Sequence, residues 1–273
     1  VLGAQSAVPA AAHHVGFGHL LLSEWTKIRS VRSTVWTLII FVVLTIGVTA
    51  GLTALVVASW NAGRAGARGG HAAIIADPVS FILGAGIYFG QLTICVLGAL
   101  VMTTEYTTGV IRASLLAVPR RIPMLAAKAV VFAALLIVLA EIVAFGSFFV
   151  GSSLLHSKVA VTLSDPGVTR AVVGAGLYLT VLGLFAMAIG GLLRHTAGAI
   201  TTVIGIVLVL PIIAGLLPNT WWWAAHLNAY LPEQAGSLIY EAHRNASPLL
   251  TQWQGFGVFC IWTALLLGAA GYL

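Results

Sequence analysis

At 273 residues, 60% hydrophobic and only 7% charged, the chain departs from soluble domains, in which about 25% of residues are charged. Together with a strongly positive mean hydropathy, this excludes an ordinary soluble fold and indicates an all-α integral membrane protein, one domain over residues 1–273 rather than two independent units. The net charge of +6 sits mainly beside apolar runs, where it reads as a topology signal rather than as a nucleic-acid surface.

In chain order, the first predicted element precedes any span. Phe17, Leu21, Trp25 and Ile28 recur at helical spacing, with Ser23, Lys27 and Ser30 on the opposite face. The pattern predicts a short amphipathic helix lying along the inner leaflet, its set of interfacial residues being Glu24, Trp25, Lys27, Arg29 and Arg32, with the basic ones near anionic headgroups. Anchoring and contact with a partner subunit are both open readings of it.

Apolar runs of about 20 residues, the length a helix needs to cross the hydrocarbon core, fall at 35–57, 79–101, 129–150, 172–193, 197–217 and 255–273. They lack the alternation of a lipid-facing strand, so six transmembrane helices are expected. On the first, Thr45, Thr49 and Thr53 stripe one face, either lining a pathway or satisfying local carbonyls. On the second, Gly86 and Gly90 form a small-xxx-small pair suited to close helix approach.

Between the second and third runs lies 103–128, TTEYTTGVIRASLLAVPRRIPMLAAK, with four of the thirteen Lys/Arg residues. Val110, Ile111, Leu115, Leu116 and Val118 supply apolar surface around Arg112, and Pro119 with Pro123 is expected to end a short helix parallel to the membrane before Lys128 begins the third span. Fixing topology alone would also account for such a loop.

Glu141 stands near the middle of the third run. A carboxylate at that depth is costly, so it is expected to be protonated, paired or facing a wet cavity, either as a pathway residue or as a helix contact. The fourth run carries Gly176, Gly183 and Gly190 at seven-residue spacing, and Arg194, His195 and Thr196 join it to the fifth in a tight hairpin. Pro211 is expected to kink the fifth. The segment 218–254 mixes aromatic and polar residues and is expected to form helices that cap the bundle, and Trp262 in the sixth run is either an anchor or a pathway-facing aromatic. Cys95 and Cys260 lie in apolar runs and read as free thiols.

Orientation follows from the cations. Lys27, Arg29, Arg32, Arg112, Arg120, Arg121, Lys128 and Arg194 fall on one side, and Arg64, Arg68, Lys158, Arg170 and Arg244 on the other. The first side is therefore expected to be cytoplasmic, with both termini on it. With no initiator Met and an apolar end at Tyr272 and Leu273, both natural termini are expected to lie beyond the chain.

No catalytic site is expected. None of Lys27, Lys128 or Lys158 follows a glycine, as the lysine of a phosphate loop must, and neither HExxH nor CxxC spacing occurs. Energy for active transport would have to enter from outside the chain.

Two segments, SEWTKIRSVRSTVWTL at 23–38 and TEYTTGVIRASLLAVPRR at 104–121, together with the span plan, resemble the permease subunits of type 2 ABC exporters, especially small six-span forms of actinobacteria. The family often has Thr where this chain has Val110. The resemblance implies a bacterial plasma-membrane protein that pairs with a second permease, identical or homologous, and with two ATPase subunits. These would hold the ATP and magnesium, and the chain itself no cofactor. By the same resemblance Glu105, Tyr106, Gly109, Arg112, Pro119, Arg120 and Arg121 fall in a coupling helix contacting the ATPases. The apolar spans suit an amphipathic drug, lipid or peptide as substrate. The alternatives are an ion- or proton-coupled secondary transporter using Glu141, and a non-transporting membrane scaffold.

Overall fold

Six helices long and apolar enough to cross a membrane make up most of the molecule, and no strand occurs among the described residues. The computed structural model describes residues 17–30, 32–63, 68–109, 121–218, 220–242 and 249–272. A first helix, α1 (Phe17–Ser30), precedes the spans. The spans are α2 (Arg32–Asn61), α4 (Pro78–Thr107), α5 (Arg121–Leu155), α6 (Val168–Leu193), a composite fifth, and α11 (Gln252–Tyr272), with the short α3 (Arg68–Ala76) between the first two.

Most boundaries differ from the hydropathy reading by a few residues, and two of the differences bear on the candidate site. At 30 residues, α4 is about 45 Å long, half again the ~30 Å hydrocarbon core. It therefore runs through Thr103, Thr104 and Glu105, where the apolar signal has already faded. The hydroxyls of Thr104, Thr107 and Thr108 donate to carbonyls one turn back, at Leu100 and Thr104. Gly109, at φ +71°, then ends the helix in the left-handed region that glycine enters without strain.

On the other side, α5 begins at Arg121, so Pro123 lies in its first turn rather than ending a preceding helix. A proline there is tolerated because the first amides have no intrahelical acceptor. Helices α4 and α5 thus take 103–107 and 121–128 of the expected loop, and Lys128 belongs to a helix. The expected membrane-parallel helix falls on 110–120, outside the described residues.

The bundle is organised around α6, the most buried span, which packs on α4, α5 and α11. Its core includes Tyr178, Leu179, Leu182, Phe185 and Met187 against Ile94, Leu136, Phe132 and Phe259. Tyr178 is fully buried and donates its hydroxyl to Gln91 Oε1 at 2.8 Å, so a central polar pair is satisfied rather than orphaned. On the other flank, Thr45 and Thr49 of α2 press against Gly86 and Gly90 of α4, and a Cβ on either glycine would collide with a threonine hydroxyl.

The fifth span is divided into α7 (Thr196–Ile204), a π-helical turn (Gly205–Val209) and α8 (Leu210–Gly215). Pro211 lacks an N–H and would crowd the carbonyl four residues back, and the wider turn just before it accommodates both problems. The expected kink site is thus a π-bulge. The α6–α7 hairpin is as tight as its sequence predicts. Arg194 occupies the left-handed region at φ 54°, and His195 caps α7 by accepting from the Gly198 amide at 3.3 Å.

At the end of the bundle away from α1, residues 222–240 form α9 (Trp222–Tyr230), α10 (Pro232–Ser237) and a 3₁₀ turn (Leu238–Tyr240). These are more than surface caps. Pro232, Ala235, Gly236 and Ile239 are buried, and the Arg170 guanidinium donates to the carbonyls of Ile239, Glu241 and Ala242 at 3.0, 2.9 and 3.2 Å. One planar fork thereby satisfies three loop carbonyls and fastens the cap to α6.

Candidate functional site

With seven acids and thirteen Lys/Arg residues in 273, charge is scarce, yet four ionised side chains meet at one point. Glu24 and Lys27 come from α1, Glu105 from the last turn of α4 and Lys128 from the second turn of α5. The Lys128 ammonium donates to Glu24 Oε2 and, at 2.8 Å, to Glu105 Oε1. Lys27 donates to Glu24 Oε1 at 2.6 Å and to Glu105 Oε1 at 3.3 Å.

The two positive and two negative charges cancel. Glu24, Glu105 and Lys128 are buried, whereas about a third of the Lys27 side chain remains exposed (34%). Burying an ion costs several kcal/mol, which only close, multiply hydrogen-bonded partners offset. In the quartet both Glu24 oxygens and Glu105 Oε1 accept such bonds, Glu105 Oε2 being buried without a partner among the described residues, and the geometry ties three helices together at their ends.

The local sequence explains how α1 reaches this position. Phe17, Leu22 and Trp25 are exposed while Glu24 is buried, so α1 turns a carboxylate toward the bundle and apolar side chains away from it. For a helix beside a membrane this is the stable choice: lipid can cover Phe17, Leu22 and Trp25, whereas Glu24 needs the cations that Lys27 and Lys128 bring. Arg29 and Arg32 are exposed beyond the quartet.

Burial by itself would raise the Glu24 carboxyl, but Lys128 and then Lys27 override it and hold it below its ordinary 4.5. Burial likewise works against the Lys27 ammonium, and Glu24 and Glu105 hold it above its ordinary 10.5. A lowered carboxyl stabilises the fold above its unfolded value and loses that contribution as pH falls through the folded one. A raised ammonium stabilises below its unfolded value and loses the contribution as pH rises through the folded one. The contribution of Glu24 and Lys27 to the melting temperature in detergent is therefore expected to be flat between about pH 5 and 10 and to fall on both sides. Glu24→Gln should remove the Glu24 part of the acid limb, and an unchanged limb in that variant would contradict the assignment.

Next to the quartet, the Arg194 guanidinium lies over the Tyr106 ring, 5.5 Å from its centroid. This contact joins the α6–α7 turn to the end of α4. Of the residues read from the sequence as a coupling segment, Glu105 and Tyr106 lie on α4, Gly109 ends it, and Arg121 is the first residue of α5. Arg112, Pro119 and Arg120 lie outside the described residues. The structure brings Glu24, Lys27 and Glu105 together and adds Lys128, which the sequence reading treated as the start of a span. Glu24 and Glu105 are the two acids assigned to the basic side, and that scarcity was the available signal: two isolated carboxylates among many cations call for specific partners.

The remaining candidates lie elsewhere. Thr45, Thr49 and Thr53 are fully buried on α2, with Thr45 Oγ1 donating to the Phe41 carbonyl at 2.7 Å and Thr49 Oγ1 to Ile82 of α4 at 3.5 Å. Trp262 is partly exposed and its indole donates to the Tyr230 carbonyl at 3.2 Å. Glu141 is half-buried on α5, against Gly176 of α6. Cys95 and Cys260 are free thiols, and among the described residues no group of three His, Cys, Asp or Glu is placed to hold a metal ion.

In comparisons with protein families and with curated proteins, no match to this chain was found. The six apolar helices identify a multi-pass membrane protein.

Proposed function

We propose that the chain is the permease subunit of a type 2 ABC exporter. In this reading the α1 end is cytoplasmic, the membrane is the bacterial plasma membrane, and 103–128 is the coupling segment pressed by two ATPase subunits. Those subunits hydrolyse ATP with magnesium, and a second permease, identical or homologous, completes the pathway for an amphipathic substrate. The chain itself would carry no catalytic centre.

The observation that supports this most strongly is the quartet. Glu105 and Lys128 flank the 108–120 segment on α4 and α5, and Glu24 and Lys27 attach α1 to the same point. Force applied to that segment would reach three helices as one unit, and α4 and α5 would carry it into the bundle, where α6 packs on both. A loop that merely fixed topology would need no such bracing of its roots. The assignment to a particular transporter class rests on the sequence resemblance, a fold-level analogy.

Reversal of Arg112 and Arg120 to Glu is expected to leave membrane insertion intact while reducing co-purification of an ATPase subunit and substrate-stimulated hydrolysis by about tenfold, the effect of replacing charge-assisted contacts by repulsion. Normal ATPase capture and normal hydrolysis in the double variant would refute the coupling role. Flux driven by a proton gradient alone, in ATP-free liposomes, would refute the exporter class.

A further inference from the structure

Glu141 is a charged residue type near the middle of an apolar helix, and neither the ion quartet nor the outer cap uses it. Its carboxyl lies against α6 at Gly176, where a Cβ would fall 2.5 Å from Oε1. The missing side chain there makes the notch in which the carboxyl rests. Its Oε2 is buried and has no hydrogen-bond partner among the described residues. The rest of the side chain is not enclosed. Glu141 stands at the border of an exposed apolar face formed by Val138 and Ile142 on α5, and Val173 is exposed one turn before Gly176 on α6.

An ionised carboxylate with an orphaned oxygen in apolar surroundings costs the full desolvation of the group, and either a proton or a cation from outside the chain's own fold relieves that cost. Among the described spans a second copy offers no cation at this level. The Lys and Arg residues within the spans, Arg32, Arg121, Lys128 and Arg170, all lie toward helix ends, far from the level of Glu141. The complementary occupant is a single positive charge carried on an apolar body, able to arrive through the lipid and lie along Val138, Ile142 and Val173. Such a molecule loses little on entering the seam, since its bulk stays in hydrocarbon while its charge gains a partner.

We infer that Glu141, in its Gly176 notch on the α5–α6 seam, is the recognition site for a lipophilic monocation. As a statement about transport it rests on the exporter reading and narrows the amphipathic substrate to cationic ones. As a statement about binding it stands without that reading.

The test uses the purified full-length chain in nanodiscs and two ions of equal shape and opposite charge, tetraphenylphosphonium and tetraphenylborate. Saturable binding of the cation is expected, with Glu141→Gln weakening it by about tenfold or more, as loss of a charge-assisted contact implies. Glu141→Asp should retain part of it, and tetraphenylborate should show no saturable binding. The cation should also protect Glu141 of the unaltered chain from modification by a hydrophobic carbodiimide, a readout independent of how well any variant folds. Equal binding of both ions, unchanged cation binding in Glu141→Gln, or no protection overturns the site. Capture of an ATPase subunit is scored in parallel. Its absence while cation binding persists would count against the exporter reading and leave the site standing; its presence without cation binding would do the reverse.

Discussion

Replacing Lys128 by Met is expected to destabilise the protein by about 3–5 kcal/mol, because it leaves Glu24 and Glu105 buried together without the ammonium they share. Lys27 cannot substitute for it. That side chain is partly exposed and is already committed to both carboxylates, so its interaction with them is screened by solvent.

The loss should be local in origin. Amides of α1 should exchange hydrogen faster in Lys128→Met, since Glu24 and Lys27 are the ion-pair links of this helix, which also packs on α5, to the bundle. The combination Glu24→Gln, Glu105→Gln and Lys128→Met should recover most of the stability, as buried ion clusters replaced as a whole by neutral groups are often tolerated. Reversible unfolding in mixed micelles measures the first effect and hydrogen exchange the second. A wild-type unfolding curve for Lys128→Met would show that the quartet does not hold α1 in place.

The second large effect is expected at the crossing of α4 and α6. A Cβ on Gly98 would land on the backbone carbonyl oxygen of Gly183, and it would also lie 2.8 Å from Ala186 Cβ. Side chains can rotate out of a clash, but a helix backbone cannot, so Gly98→Ala must push apart the two most buried spans. Overpacking of this kind costs about 1–3 kcal/mol and occasionally more, and Gly98 belongs at the upper end. Gly98→Leu should prevent accumulation of folded protein.

Gly51 of α2 is the matched control, because nothing lies within 4 Å of a Cβ there. Gly51→Ala should be neutral or stabilise by about 0.5–1 kcal/mol through helix propensity. Equal effects of the two alanine substitutions would mean that the α4–α6 contact is not set by glycine.

The number of spans and the apolar character of each were legible in the sequence, because crossing hydrocarbon demands about twenty apolar residues and that demand is local. So were the α6–α7 hairpin, the disturbance at Pro211 and the small-residue seams. Each follows from chemistry within a few residues: a missing amide hydrogen, a missing Cβ, three residues between two apolar runs.

Helix ends were less legible. Hydropathy reports where lipid stops, whereas α4 continues to Thr107, with the Thr104 carbonyl of its last turn accepting from the Thr107 and Thr108 hydroxyls, and α5 begins at Arg121, its first turn tolerating Pro123. Only the tertiary structure could decide which charges meet. Lys128 pairs with Glu24 across 104 residues and with Glu105 across 23, and no periodicity or spacing connects them. In the sequence Lys128 is one more cation on the basic side. In the fold it is the shared partner of two buried carboxylates, because desolvation makes an unpaired charge there costlier than bringing three helix ends together.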